Sequence, residues 1–124
     1  AIIGQVPQNR LNRWYVYEYF EGTYAHDLAR FPTWGQVLEW AITAGFRQVN
    51  WQAVEWIHDP KIGPAVFQDP FLRKEAVSQL ALLSQREYEA GLAHMAAALA
   101  AAEQRGQELE FVCDLRLDML LAKK

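Results

Sequence analysis

The sequence predicts an α/β domain: a small mixed three-stranded sheet covered by helices. Three observations predict it. A capped helix over 33–44 stops at Gly45 and drops into an alternating segment, "RQVNWQA". A long helix from Ser84 to about Gln104 leads past Gly106 into a second alternating segment, "ELEFVCDLRLDMLLAKK". The chain opens on a short β-branched run, Ala1-Ile2-Ile3, ended by Gly4. Strands interleaved with helices of this kind pack as layers.

The elements follow in order. Residues 1–5 read as a short buried strand, and its mid-strand character leads us to expect that the single domain 1–124 is a fragment of a larger fold. Residues 6–32 form an aromatic-rich insertion. There Tyr15, Tyr17 and Tyr19 alternate as in a strand, while Trp14, Tyr17 and Phe20 also fit a helical face; helix or irregular structure is the expectation.

Thr33 is an N-cap with Gln36 three residues on, a capping box. Val37, Leu38, Ala41 and Ile42 continue at helical spacing, flanked by Trp34 and Trp40. Gly45 is placed at C′. In the strand that follows, Val49, Trp51 and Ala53 face one way and Gln48, Asn50 and Gln52 the other. "HDPKIGP", residues 58–64, reads as a loop.

Residues 70–105 read as a helical pair. Asp69-Pro70 supplies an N-cap and N1 for the first helix, with Leu72, Ala76, Leu80 and Leu83 on one face. Ser84 and Glu87 form a second capping box, with Leu83 and Tyr88 spaced for a hydrophobic staple. Tyr88, Leu92, Met95, Leu99 and Ala102 make the stripe of the long helix. In the last strand Leu109, Phe111, Cys113, Leu115, Leu117 and Met119 share one face, and Glu110, Asp114, Arg116 and Asp118 the other.

Composition narrows the function. The chain has 124 residues, 52% apolar and 22% charged, which suits one globular domain. Its net charge of −3 and lack of a basic patch argue against a nucleic-acid partner. No apolar run of about 18 residues is present, so no membrane partner is expected. The single Cys113 forms no internal disulfide and supplies no multi-cysteine zinc site, so a cytoplasmic location is expected. The seven glycines are scattered and form no phosphate-cradling loop. His26, His58 and His94 lie far apart, so no metal site is expected.

"RWYVYEYFEGTYAHDLARF" is where ligand contacts are sought. Tyr and Trp join a flat apolar body to a polar tip, and His26 and Asp27 offer proton transfer beside them. The same aromatics suit core packing, which is the stronger expectation for them as a set. His58-Asp59 is a further acid/base candidate, usually solvated in a loop. Cys113 reads as inert core and His94 as a surface or boundary residue.

This order of elements resembles the C-terminal half, strands five to seven, of a Rossmann-like class I S-adenosylmethionine-dependent methyltransferase of the small-molecule type. "AIIGQ" is similar to that family's fifth strand, and "RFPTWGQVLEWAITAGFRQV" to its capped helix, "AGF" ending and sixth strand. The resemblance makes Glu108–Leu121 the antiparallel seventh strand, inserted between the fifth and sixth. One departure is Gln36, where an acidic residue is usual; Glu39 is the nearest carboxylate.

The resemblance implies a substrate-side portion whose parent uses S-adenosylmethionine on a small-molecule substrate. It assigns no cofactor-binding residue and no catalytic residue to this chain, which is expected to be inactive alone and to bind no cofactor. Tyr15, Tyr17, Tyr19, Tyr24 and His26 become substrate-binding candidates by location. An unpaired edge on the first strand predicts a dimer or other homo-oligomer. The alternative is a non-enzymatic α/β ligand-binding or dimerisation domain.

Overall fold

A computed structural model describes residues 1–4, 7–9 and 12–124. Gln5 of the expected first strand, and Val6, Arg10 and Leu11 of the aromatic-rich segment, lie outside the described residues. The elements are β1 (Ile2–Gly4), β2 (Arg13–Trp14), α1 (Tyr15–Tyr19), α2 (Thr23–Arg30), α3 (Trp34–Thr43), β3 (Gln48–His58) and β4 (Lys61–Ile62), then α4 (Ser78–Ala81), α5 (Gln85–Gln104), β5 (Glu110–Phe111) and β6 (Cys113–Lys123). Two 3-10 turns, Gly63–Gln68 and Pro70–Leu72, lie between β4 and α4.

The sheet is organised around β6. β1 pairs along one edge through Ile2↔Leu120, Ile3↔Met119 and Gly4↔Asp118, and β2 continues that edge through Arg13↔Asp114 and Trp14↔Cys113. β3 runs along the opposite edge, from Gln48↔Lys123 to His58↔Asp114. Every ladder is antiparallel, so the expected mixed sheet is corrected: β1 and β3 run the same way but never touch, because β6 lies between them. β2 and the small β4–β5 ladder were not foreseen.

The register shifts between Ala53 and Glu55, a bulge in β3. An inserted residue reverses the alternation beyond it. Trp51 pairs with Leu120 and Trp56 with Arg116, so the two indoles share one face although five positions separate them.

α3 forms where its capping residues predict. The Thr33 hydroxyl accepts from the Gln36 N–H at 3.1 Å and Gln36 Oε1 accepts from the Thr33 N–H at 2.8 Å. Gly45 adopts φ 97° and closes the helix, with its N–H bonded to the Ile42 carbonyl and the Phe46 N–H to the Ala41 carbonyl. The buried stripe is Trp34 and Val37, packed with Leu38 against Leu120, Val49 and Ala122. Ile42, expected in that stripe, is exposed, because Trp34 takes the sheet-facing side and rotates it outward.

The second capping box also forms. Ser84 Oγ accepts from the Glu87 N–H at 3.1 Å, and Glu87 Oε1 accepts from the Ser84 N–H at 2.9 Å. The Ser84 N–H foremost, and the Ser84 hydroxyl after it, hold the Glu87 carboxyl below its usual range. Met95, Leu99 and Ala102 are buried along α5, as the stripe predicts.

The expected helix from Pro70 is corrected to a single 3-10 turn. Asp69 caps it, accepting from the Phe71 N–H at 3.0 Å, but Arg73 (ψ 139°) and Val77 (ψ 147°) are extended. Leu72 and Leu80 still reach the core, through two short turns and a buried side of Val77 instead of one helix face. "HDPKIGP" is likewise partly ordered: Lys61 and Ile62 pair with Phe111 and Glu110. The first strand is paired but not buried: Ile2 and Ile3 are 50% and 60% exposed, since nothing described covers their outer faces.

The main core joins Trp14, Tyr15, Val16 and Phe20 to Val66, Leu72, Leu80, Met95, Leu99 and Phe111. Phe20 stacks on Tyr88 with centroids 5.8 Å apart. Its ring lies directly over Gly91 in α5, where a Cβ would stand 2.1–2.7 Å from ring carbons. Among the described residues no helix is long and apolar enough to cross a membrane.

Gly91→Ala is expected to destabilise the fold. Alanine gains about 1 kcal/mol of helix propensity over glycine, but overpacking against Phe20 costs about 1–3 kcal/mol and, at this separation, the upper end. Urea unfolding of Gly91→Ala, alone and combined with Phe20→Leu, checks this: the single variant loses stability and the smaller side chain restores part of it. A single variant more stable than wild type would mean that the ring moves aside freely.

Candidate functional site

The carboxyl end of β3 and the amino end of β6 meet at one edge of the sheet, because the two strands are antiparallel and His58 pairs with Asp114. A cavity of about 240 Å³ opens there. Ile57 and its cross-strand partner Leu115, with Cys113, form its floor on the sheet, and Trp14 of β2, Phe71 and Val77 complete the apolar lining. Asp59, Asp69 and Gln79 are its polar groups. A mostly apolar concavity with a few convergent polar atoms is the ordinary form of a small-molecule site. In open α/β sheets such sites gather outside the carboxyl ends of the parallel strands, and β1 and β3 share that direction.

Each polar group is held by local structure. Asp69 sits at the N-cap of the 3-10 turn, is 9% exposed, and accepts from the Tyr15 hydroxyl at 2.7 Å as well as from the Phe71 N–H. Asp59 follows β3, where its N–H is bonded to the Cys113 carbonyl at 2.9 Å and its carboxylate takes Lys61 at 3.0 Å. The Lys61 ammonium is raised in pKa, first by that hydrogen bond. Gln79 is held by donating to Asp27 at 2.8 Å.

Behind this wall lies a buried carboxylate. Asp27 is 1% exposed and receives Tyr17 Oη at 2.5 Å, Gln79, and the Arg30 guanidinium at 2.9 and 3.1 Å. A buried carboxylate persists only when paired and hydrogen-bonded, and here the donors come from α1, α2 and α4. Asp27 is thus a tie between helices, with no room to serve as an exposed base beside His26.

Of the five residues sought as substrate contacts, Tyr17 and Tyr24 meet, with ring centroids 5.2 Å apart, and line one open surface hollow; Tyr15, Tyr19 and His26 lie elsewhere. Tyr15 is fully buried, outside the cavity lining, and meets two residues of it, Asp69 by its hydrogen bond and Trp14 by an edge-on ring contact. Tyr17 points the other way around α1, edge-on to Trp14 and Tyr24. Tyr24 is 42% exposed and its hydroxyl donates to the Pro7 carbonyl at 3.2 Å. Tyr19 packs on Phe111 and His94 and lines a separate groove with Glu87 and Gly91. His26 is exposed on α2. His58 lies against Trp56, while Asp59 takes Lys61, so the geometry does not assemble the His58-Asp59 pair either.

Cys113, expected as inert core, is half-buried and lines the cavity floor. Burial first, then Asp59 and Asp69, push its thiol up to about 11. It remains a poor nucleophile near neutral pH, in keeping with the chemistry of buried thiols. Burial and the hydrogen bond to Asp69 raise the Tyr15 phenol well above its ordinary 10.0. The sequence signal for this site was slight: a carboxylate just past a strand and another before Pro70, each also explained by turn chemistry. Among the described residues no cluster of His, Cys, Asp and Glu could hold a metal ion.

These two shifts fix an alkaline limit to stability. Both groups hold their proton more tightly in the folded chain. Their stabilisation is therefore complete below pH 9, the ordinary thiol value, and is lost as pH rises through about 11 for Cys113 and from 10.0 upward for Tyr15. Denaturant unfolding measured from neutral pH to about 11 should show stability falling with pH. Cys113→Ala should flatten the first part of that fall and Tyr15→Phe the part above pH 10; unchanged slopes in both variants would assign the limit to other groups.

Comparison with protein-family models, curated proteins and solved structures finds no match for this chain.

Proposed function

We propose that the chain is the C-terminal, substrate-side portion of a cytoplasmic class I S-adenosylmethionine-dependent methyltransferase acting on a small molecule, and that alone it is inactive. The observation that carries the reading is the strand order. β6 lies antiparallel between β1 and β3, as the seventh strand lies between the fifth and sixth in the family that the sequence resembles. α3 ends through Ala44-Gly45-Phe46 into β3 with the expected turn, which supports the same reading.

The cavity suits the methyl acceptor. Trp14, Ile57, Phe71 and Leu115 offer walls for a flat apolar body, and Asp59 and Asp69 accept hydrogen bonds from a hydroxyl or amine. Holding such a group still is what this side of the reaction requires, since orientation supplies much of the rate in transfer between two bound partners. The cavity does not fit S-adenosylmethionine itself. No glycine lines it to offer a backbone cradle, and its two carboxylates would repel the methionyl carboxylate. On this reading the cavity is an acceptor site and not the cofactor site.

The alternative, a non-enzymatic α/β ligand-binding or dimerisation domain, is favoured by one observation: these residues build a core and a cavity among themselves.

Two measurements test the proposal. The gene should encode, upstream of Ala1, a glycine-rich strand–loop–helix of the kind that cradles a cofactor; its absence would transfer the reading to the non-enzymatic alternative. In the full gene product, Phe71→Ala should raise the acceptor KM about tenfold with kcat little changed, the pattern of a lost uniform contact worth about 1.4 kcal/mol. Phe71 is 59% exposed, so the change spares the core. Tight calorimetric binding of S-adenosylmethionine by residues 1–124 alone would overturn the assignment of the cofactor site.

A further inference from the structure

β3 has one whole edge without a partner among the described residues. It is paired with β6 alone, and most of its eleven residues are exposed. A free edge is a row of unused N–H and C=O groups that templates another strand unless charges, prolines or distortions guard it. "QVNWQAVEWIH" contains no Lys, Arg or Pro, and one carboxylate, Glu55. Its one guard is the bulge at Ala53/Glu55. That same bulge sets Trp51 and Trp56 on a single face, where they are 56% and 54% exposed, and Val54 at the bulge is 42% exposed.

We propose that two copies of this chain associate edge to edge through β3, antiparallel about a two-fold axis, into one sheet ordered β6–β3–β3–β6. The occupant is a second copy for three reasons. Antiparallel pairing about a two-fold is self-complementary, so the same strand supplies both sides. The strand carries no block of like charge to oppose its twin and no charge pattern for a foreign partner to match. The side chains add to the edge: a Trp side chain buries about 150–250 Å², so the two half-exposed indoles leave about 200 Å² uncovered per copy, and pairing along β3 sets them beside those of the second copy on one continuous face. With an eleven-residue backbone edge, the contact falls in the small-interface class below about 1,200 Å², which suits a weak, concentration-dependent dimer. β1, whose edge first suggested association, offers only three residues. This inference does not depend on the methyltransferase reading.

The test is the mass of chain 1–124 in solution, by sedimentation equilibrium from about 1 μM to about 1 mM, the range in which weak complexes assemble. The expected result is a species of twice 14.3 kDa. Val54→Lys should return it to 14.3 kDa, and Ile3→Lys, on the β1 edge, should leave the dimer intact. A monomer at every concentration, or a dimer lost in Ile3→Lys and kept in Val54→Lys, overturns the proposal. Amide exchange in the unaltered chain decides the matter should Val54→Lys fail to fold. Protection of alternate amides in 48–58 should rise with concentration; protection that ignores concentration overturns the proposal.

Discussion

Everything in this fold hangs on β6. β1, β2 and β3 share one direction, and none of them pairs with another; each is a strand only because β6 satisfies its backbone. β6 also separates the two cores. Leu120 and Ala122 face Trp34 and Val37 of α3, while Cys113 and Leu115 lie against the aromatic core on the opposite side. The alternation that puts successive residues on opposite faces therefore does double duty along one strand. A one-residue slip would exchange the two sets and empty both cores at once.

The aromatic segment is the second dependency. Read as sequence, 14–24 has more ring than a short helix can use. In the structure those rings replace the sheet that a three- or four-stranded domain lacks. Tyr15 and Tyr19 meet Phe111, Trp14 meets Tyr17, and Phe20 stacks on Tyr88 over a helix glycine. Buried phenols need acceptors, and the acceptors are Asp69 and Asp27, carboxylates supplied by distant turns and by α2. The polar bonds thus decide which way each ring points, and packing then fixes the helices that carry them.

That division explains what was legible beforehand. Capping boxes are local chemistry between residues three apart, so Thr33/Gln36 and Ser84/Glu87 were readable and both formed. Gly45 and Gly106 were readable as helix ends for the same reason. The turn after Asp69 was not, because Leu72, Ala76, Leu80 and Leu83 are spaced for a helix that the chain does not make. The Leu72 carbonyl is instead taken by the Tyr88 hydroxyl at 2.7 Å, from the start of α5. The β3 bulge was unreadable too, since it is a property of two strands together. Of the tyrosines, Tyr15 is buried in the core, Tyr17 and Tyr19 pack against it and Tyr24 is exposed, because an α-helix sends Tyr15 and Tyr17 to different sides.

The position of the cavity follows from direction more than from any motif. Inserting an antiparallel strand brings the start of β6 to the place where β3 ends, so Cys113 and Leu115 join Ile57 in the floor beside Asp59. Trp14 reaches the same spot because β2 pairs with the first two residues of β6. Three segments far apart in sequence are thus gathered by one strand register. A side chain there need not sit in a recognisable pattern to face a ligand. Asp69 illustrates the point: as sequence it is a helix cap, and in the fold it is a cap, the acceptor for a core tyrosine and the buried acid of the cavity wall. Its capping bond fixes the carboxylate and its tyrosine bond orients it, so the group that faces the cavity is preorganised by interactions made for stability.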